Sequence, residues 1–212
     1  MKKLILVFFA LFVSGLWSDE KTVNNAIVPM PKLENDFYDW YKRHDAVKEL
    51  IKKKSPDLIF LGDSITHMFG GEPKSKICRG LVTWDKYYAS RNAINMGFGW
   101  DRTQNVLWRI ADGCMDEISP KVAVVMIGTN NIRGSSNARA NTPTEIAEAI
   151  ELICEKIHEK LPSTKILLLS ILPRSYRKKP VDFFVKPILE INQKISQLDE
   201  KSYITYFDLY SK

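Results

Sequence analysis

The chain has 212 residues, 45% hydrophobic and 26% charged, the balance of one ordinary folded domain rather than of a disordered or fibrous protein. Its 31 basic and 25 acidic residues leave a formal charge of +6, too mild and too scattered for the concentrated basic stripe that nucleic acid demands, so no nucleic-acid partner is expected. Three cysteines (Cys78, Cys114, Cys154) exclude a disulfide scaffold and include no CxxC pair, and no two of the three histidines have metal-site spacing, so neither a metal nor a cofactor is expected.

The chain opens with Met1-Lys2-Lys3, an apolar run from Leu4 to Trp17 and then Ser18-Asp19-Glu20. A basic start, a short apolar stretch and a small-residue exit read as a signal peptide over 1–18, cleaved after Gly15 or Ser18. The run is shorter than the ~20 residues that span a bilayer, and no cysteine follows it to carry a lipid. An uncleaved anchor or a buried helix is the alternative. The protein is therefore expected to be exported, periplasmic or extracellular, with no membrane span after cleavage. One disulfide is open to it there, without a choice of pair.

Residues 19–35, with Pro29 and Pro31 and few apolar anchors, read as a linker or N-terminal clamp ahead of a domain over 36–212. Phe37, Trp40, Tyr41, His44, Val47, Leu50 and Ile51 then repeat at helical spacing. Short apolar runs without alternation follow at Leu58–Leu61, Val122–Ile127 and Ile166–Leu172, with weaker ones at Ala93–Met96 and Tyr203–Phe207. Such runs suit strands buried on both faces of a parallel sheet. Between them, Asp101 stands three residues before Gln104 and Thr142 three before Glu145, each able to close a capping box, with Pro143 at the favoured first helical position. Ile146, Ile150, Ile153 and Ile157 mark one helix face. Ile188, Ile191, Ile195 and Leu198 mark another, on a helix started or kinked by Pro187. The alternation describes a doubly wound α/β fold with about five parallel strands.

In such sheets ligands bind at the carboxyl ends of the strands. Three polar, glycine-containing turns fall there: Gly62-Asp63-Ser64-Ile65-Thr66, Asn95-Met96-Gly97-Phe98-Gly99-Trp100-Asp101-Arg102 and Gly128-Thr129-Asn130-Asn131. Ser64, after a tight turn at a helix start, can act as a nucleophile whose own N–H faces an oxyanion, or it can simply cap the helix. Thr66 replaces the second glycine of a G-x-S-x-G elbow. Arg102 stands where a dinucleotide fingerprint needs its third glycine, which discounts a nicotinamide cofactor. Asn130 and Asn131 are turn residues, or one amide is an oxyanion donor. His44 reads as a packing residue, His158 as part of a solvated helix face, and His67 as a pocket residue too close to Ser64 in sequence to serve as base. Arg174, Arg177, Lys178 and Lys179 form a basic loop on the active edge. Trp84, Tyr87 and Tyr88 read as core or as pocket wall.

Taken together, GDSIT at Ser64, NMGFGWDRTQNVLWR from Asn95 to Arg109 and GTNN at Asn130 resemble blocks one to three of the SGNH (GDSL) hydrolases, within them the platelet-activating-factor acetylhydrolase catalytic-subunit-like branch. RHDAVKELIKKKSPDLIFLGDSIT and KILLLSILPR extend the resemblance over about Trp40 to Asp208. It implies a flavodoxin-like three-layer α/β/α sandwich and a metal-free serine ester hydrolase. Ser64 matches the nucleophile and first oxyanion donor, and Asn130 the side-chain donor. The backbone donor falls on Trp100, where the family has glycine, with Gly99 as the alternative. Asp63, His67, Gly99 and Arg102 flank these residues and are read as substrate-binding.

The family's acid–base pair, an aspartate and a histidine three residues later, follows the fifth strand and opens a final helix. Here the residue three after Asp208 is Ser211, not histidine, and the chain ends at Lys212. The expectation is a chain truncated at its C-terminus, lacking that helix and the pair, with apolar sheet surface left uncovered. The function expected is removal of acetyl or other small O-acyl groups from carbohydrate or small esters. The alternative is a non-catalytic ligand-binding module on the same scaffold.

Overall fold

The computed structural model describes residues 23–175 and 182–212. The signal-peptide reading and the loop residues Arg177, Lys178 and Lys179 lie outside them. In chain order the elements are α1 (Trp40–Lys54), β1 (Leu58–Gly62), α2 (Ser64–His67), α3 (Leu81–Tyr87), β2 (Ala93–Gly97), α4 (Thr103–Ala111), β3 (Val122–Met126), α5 (Pro143–Lys160), β4 (Lys165–Leu169), α6 (Asp182–Ser196) and β5 (Ile204–Phe207).

The five strands form one parallel sheet in the order β2-β1-β3-β4-β5. From β1 the chain steps one way to β2, then returns past β1 to β3 and onward. Right-handed crossovers therefore place the β1–β2 connection on one face and α4, α5 and α6 on the other. The main core lies on the latter face. There Ile59, Leu61, Met96, Val125 and Leu168 meet Val47 and Ile51 of α1, Ile110 of α4, Ile150 and Ile153 of α5 and Ile191 of α6. Thr142 accepts from the Glu145 N–H while the Glu145 carboxylate accepts from the Thr142 N–H, the expected capping box.

Opposite, Phe60 and Val124 pack with Trp84, joined by Phe69 and Tyr88, so Trp84 is core. Beyond them Leu167, Leu169 and Phe207 line an open apolar groove of about 910 Å³. α6 runs through Pro187 instead of starting there. Residues 23–34 form a strap across α4 and α5: Asn24 donates to the Glu145 carbonyl, Thr103 Oγ1 to Ala26, the Met30 N–H to Gln104, and Asn105 Nδ2 to Pro31. Cys78 is exposed, Cys114 and Cys154 are buried, and all three are free.

Candidate active site

The sheet order reverses between β1 and β3, where loops leaving adjacent strand ends diverge and open a crevice. Gly62 pairs with both Gly97 and Met126 at the strand ends, so the turns carrying Ser64, Trp100 and Asn130 emerge side by side. Two glycines are steric requirements of this edge. A Cβ on Gly62 would stand 2.6 Å from the Met126 carbonyl oxygen, and one on Gly97 would stand 2.4 Å from the His67 nitrogen. α2 can therefore sit directly on the end of β2.

Ser64 is the first residue of α2, which leaves its N–H outside the helical ladder. The Asp63 carboxylate accepts from the Ile65 N–H at 2.9 Å and so fixes the turn. Burial pushes that carboxyl up to about 6. Ser64, Trp100, Thr129, Asn130, Leu172 and Arg174 line a pocket of about 250 Å³.

Asn130 is held on two sides. Its Nδ2 donates to the Asp101 carbonyl at 3.0 Å, and its Oδ1 accepts from Arg174 at 3.3 Å. The arginine can only donate, so the amide orientation is set, and the second Nδ2 hydrogen is left for the pocket. Asn131, by contrast, is fully buried and ties Thr103, Gln104 and Asn141 together.

The choice between Gly99 and Trp100 follows from their N–H groups. Gly99 donates to His67 Nδ1 at 3.2 Å, whereas the Trp100 N–H makes no hydrogen bond with any described residue. Trp100 reaches this position at φ +63°, a left-handed conformation that costs a residue with a Cβ roughly 1–2 kcal/mol. Its surroundings hold it there. Tyr38 donates to the Gly99 carbonyl at 3.2 Å. Asp101 is clamped by Trp40 Nε1 at 2.7 Å and by Arg109 Nε and Nη2 at 3.0 and 2.9 Å. Asp101 is thus buried with a cation and does not cap α4; Asn105 Oδ1 takes that part, accepting from the Arg102 N–H. Burial pushes the Asp101 carboxyl up to about 6 against the pull of Arg109.

The remaining candidates are placed elsewhere. Arg102 turns away from the Ser64 pocket, donating to the Arg133 and Arg139 carbonyls and pairing with Glu34. His67 faces the other side of α2, between Phe37 and Tyr38. Burial, then the charge of Arg43, holds its pKa down at about 3. His44 is paired with Asp112 and stacked on Trp40. His158 is not on a solvated face: its ring stacks on Tyr203 at 3.8 Å. Asp208 accepts from the Tyr210 N–H and the Ser211 hydroxyl. The described residues thus bring together a serine hydroxyl and unspent N–H donors, with no histidine on Ser64, and among them no cluster of acids, histidines and cysteines could hold a metal.

Sequence reasoning missed Arg109 and understated Arg174. The signal for the first was an arginine inside the apolar stretch Val106–Ile110, every residue of which except Trp108 is buried. Arg174, read only as part of a basic loop, donates to Thr129 and Asn130.

Fold and site define a doubly wound α/β protein with a serine and N–H donors at its topological switch point. The chain belongs to the GDSL-like lipase/acylhydrolase family, whose model matches residues 60–212. It is 36% identical over 146 residues to the platelet-activating factor acetylhydrolase IB subunit beta homolog of Drosophila melanogaster, covering 69% of this chain and 57% of that protein. To the human platelet-activating factor acetylhydrolase IB subunit alpha2 it is 34% identical over 159 residues, covering 75% and 59%. The chain thus spans less than two thirds of the length of these relatives. Among solved structures, a GDSL-like lipase from Bacteroides thetaiotaomicron shares the fold with a TM-score of 0.59 at 21% identity, over 81% of this chain and 78% of that one. An acetylxylan esterase from Geobacillus stearothermophilus does so with 0.55 at 14%, over 74% and 79%.

Proposed function

We propose that the protein is a serine ester hydrolase that removes acetyl or other small O-acyl groups from carbohydrate or small esters, and that it acts after export. Ser64 Oγ attacks the acyl carbonyl and gives up its proton to solvent, the ester C–O bond breaks to release the alcohol, and water then cleaves the acyl-serine to the free acid and Ser64. The N–H groups of Ser64 and Trp100 and the Asn130 amide receive the charge that develops on the carbonyl oxygen. The observation that carries this reading is the convergence of Ser64 and an orientation-locked Asn130 on one pocket. Its volume of about 250 Å³ lies below the usual range for drug-sized ligands, and the Trp100 ring beside it favours a short acyl group. The acetylxylan esterase similarity supports acetylated sugar as the substrate class. A second reading, a ligand-binding module, is favoured by one observation: no histidine among the described residues reaches Ser64.

Labelling with a fluorophosphonate probe and hydrolysis of 4-nitrophenyl acetate separate the two readings. Without a base at Ser64, the oxyanion donors and binding alone supply roughly 10³–10⁴-fold over water. Added imidazole should then accelerate the Ser64-dependent rate beyond the imidazole background measured in Ser64→Ala. Labelling that persists in Ser64→Ala, or turnover indifferent to that substitution, would overturn the esterase reading. Absence of both labelling and turnover would favour the binding module.

A further inference from the structure

A second cleft lies beside the Ser64 pocket on the far side of the Gly99–Trp100 step. Its volume is about 880 Å³, and five cationic and two anionic side chains line it. Phe37 and Tyr41 stand in its walls 42% and 49% exposed. Such rings offer flat apolar faces on which a pyranose can stack. Lys32, Lys74 and Lys76 make no ion pair with any described residue, and Lys42 reaches Asp39 only at 3.8 Å. With Asp36 and Asp39 set against five cations, and Glu72 within the field of Lys74, the cleft keeps a net excess of positive charge.

His67 supplies a directional group. It is only 3% exposed, yet it lines this cleft. The Gly99 N–H can only donate, so Nδ1 must hold the lone pair, and the neutral ring carries its hydrogen on Nε2. That N–H meets no acceptor among the described residues. The neighbouring Arg43 guanidinium is spent on the carbonyls of Gly97, Pro73 and Asn95. This leaves one fixed donor on the floor, two aromatic faces on the walls, the carboxylates of Asp36 and Asp39, and lysines in excess of them. The combination suits a ring compound rich in hydroxyls and carrying negative charge.

We propose that this cleft is a saccharide subsite for an acidic sugar chain, of the uronate type, with pyranose faces on Phe37 and Tyr41, a hydroxyl accepting from His67 Nε2 and the carboxylates on Lys74 and Lys76. The proposal rests on the esterase reading in placing the scissile ester in the Ser64 pocket. Gly99, which His67 and Tyr38 anchor, and Trp100, which walls the ester pocket, are consecutive residues about 3.8 Å apart along the chain. In the proposed arrangement one sugar chain rests in the cleft and passes over Gly99 and Trp100, so that its O-acyl group enters beside Ser64.

The test is calorimetric titration of the full-length Ser64→Ala protein with trigalacturonate, xylotriose and hexathymidylate, so that binding is read without turnover. Trigalacturonate should bind at least tenfold more tightly than xylotriose, and its affinity should fall with added salt. The surface variants Lys74→Glu/Lys76→Glu and Phe37→Ala/Tyr41→Ala should each weaken it about tenfold, with far-ultraviolet circular dichroism unchanged. Equal affinity for xylotriose, hexathymidylate bound as tightly as trigalacturonate, no loss in either double variant, or no binding of trigalacturonate would each overturn the subsite. Fluorophosphonate labelling of the unsubstituted protein reports separately on the ester chemistry. Trigalacturonate binding without labelling keeps the cleft and removes the esterase; labelling without binding does the reverse.

Discussion

Replacing Arg109 by methionine should be among the most damaging single changes in the protein. The guanidinium has 0% exposure and lies 2.9–3.0 Å from an Asp101 carboxylate that is itself buried. Arg109→Met keeps the apolar bulk but leaves that carboxylate with Trp40 Nε1 as its only side-chain donor among the described residues. Stranding one member of a buried pair costs roughly 3–5 kcal/mol, a large share of the ~5–15 kcal/mol by which a domain is stable. At a urea dependence of ~2 kcal/mol per molar, the unfolding midpoint should fall by about 1.5–2.5 M. Adding Asp101→Asn removes the stranded charge while keeping an oxygen for Trp40, so the double variant should recover most of the loss. Urea melts of the wild type, both single variants and the double variant measure this directly. A loss under about 1 kcal/mol for Arg109→Met, or a double variant as unstable as the sum of the singles, would show that the pair does not hold this turn.

Asn130→Ala should lower kcat for 4-nitrophenyl acetate by roughly 10²–10³-fold with little change in KM; an unchanged kcat would make Asn130 a turn residue only. Trp100→Gly exchanges left-handed strain for chain entropy, so its stability should stay within about 1 kcal/mol of wild type. The same change should raise the butyrate-to-acetate ratio of kcat/KM about tenfold by opening the pocket; an unchanged ratio would remove the ring from acyl selection. His67 is held at about 3 against an ordinary 6.5, so between those values the unfolded chain binds a proton that the folded chain does not. Its contribution is complete above about pH 6.5 and is lost as the pH falls toward 3. From pH 7.5 to 5, wild type should therefore lose up to ~2 kcal/mol more than His67→Gln in urea melts; equal losses would mean that His67 is protonated in the folded protein.

Much of the fold was legible in the chain because parallel strands buried on both faces leave unbroken apolar runs, as in Leu58–Leu61 and Val122–Met126, and because Thr142 and Glu145 carry a helix start in their own side chains. The three turns could be placed at the strand ends for the same reason, and Ser64, Trp100 and Asn130 with them. Tertiary structure alone decided how those residues are used. The Trp100 N–H is the open donor because His67, 32 positions earlier, accepts that of Gly99. The Asn130 amide points as it does because Arg174 approaches from the end of β4. Asp101 has the local spacing of a cap yet turns inward to Arg109 and Trp40, since a buried guanidinium needs a counter-charge and Asn105 already serves the helix start. His158 looks solvated on its own helix and is stacked because β5 brings Tyr203 against it. Periodicity records which face of an element is buried. It cannot record which polar group will meet which across the sheet, because those pairings are set by strand order and crossover hand, and neither is written in any single segment.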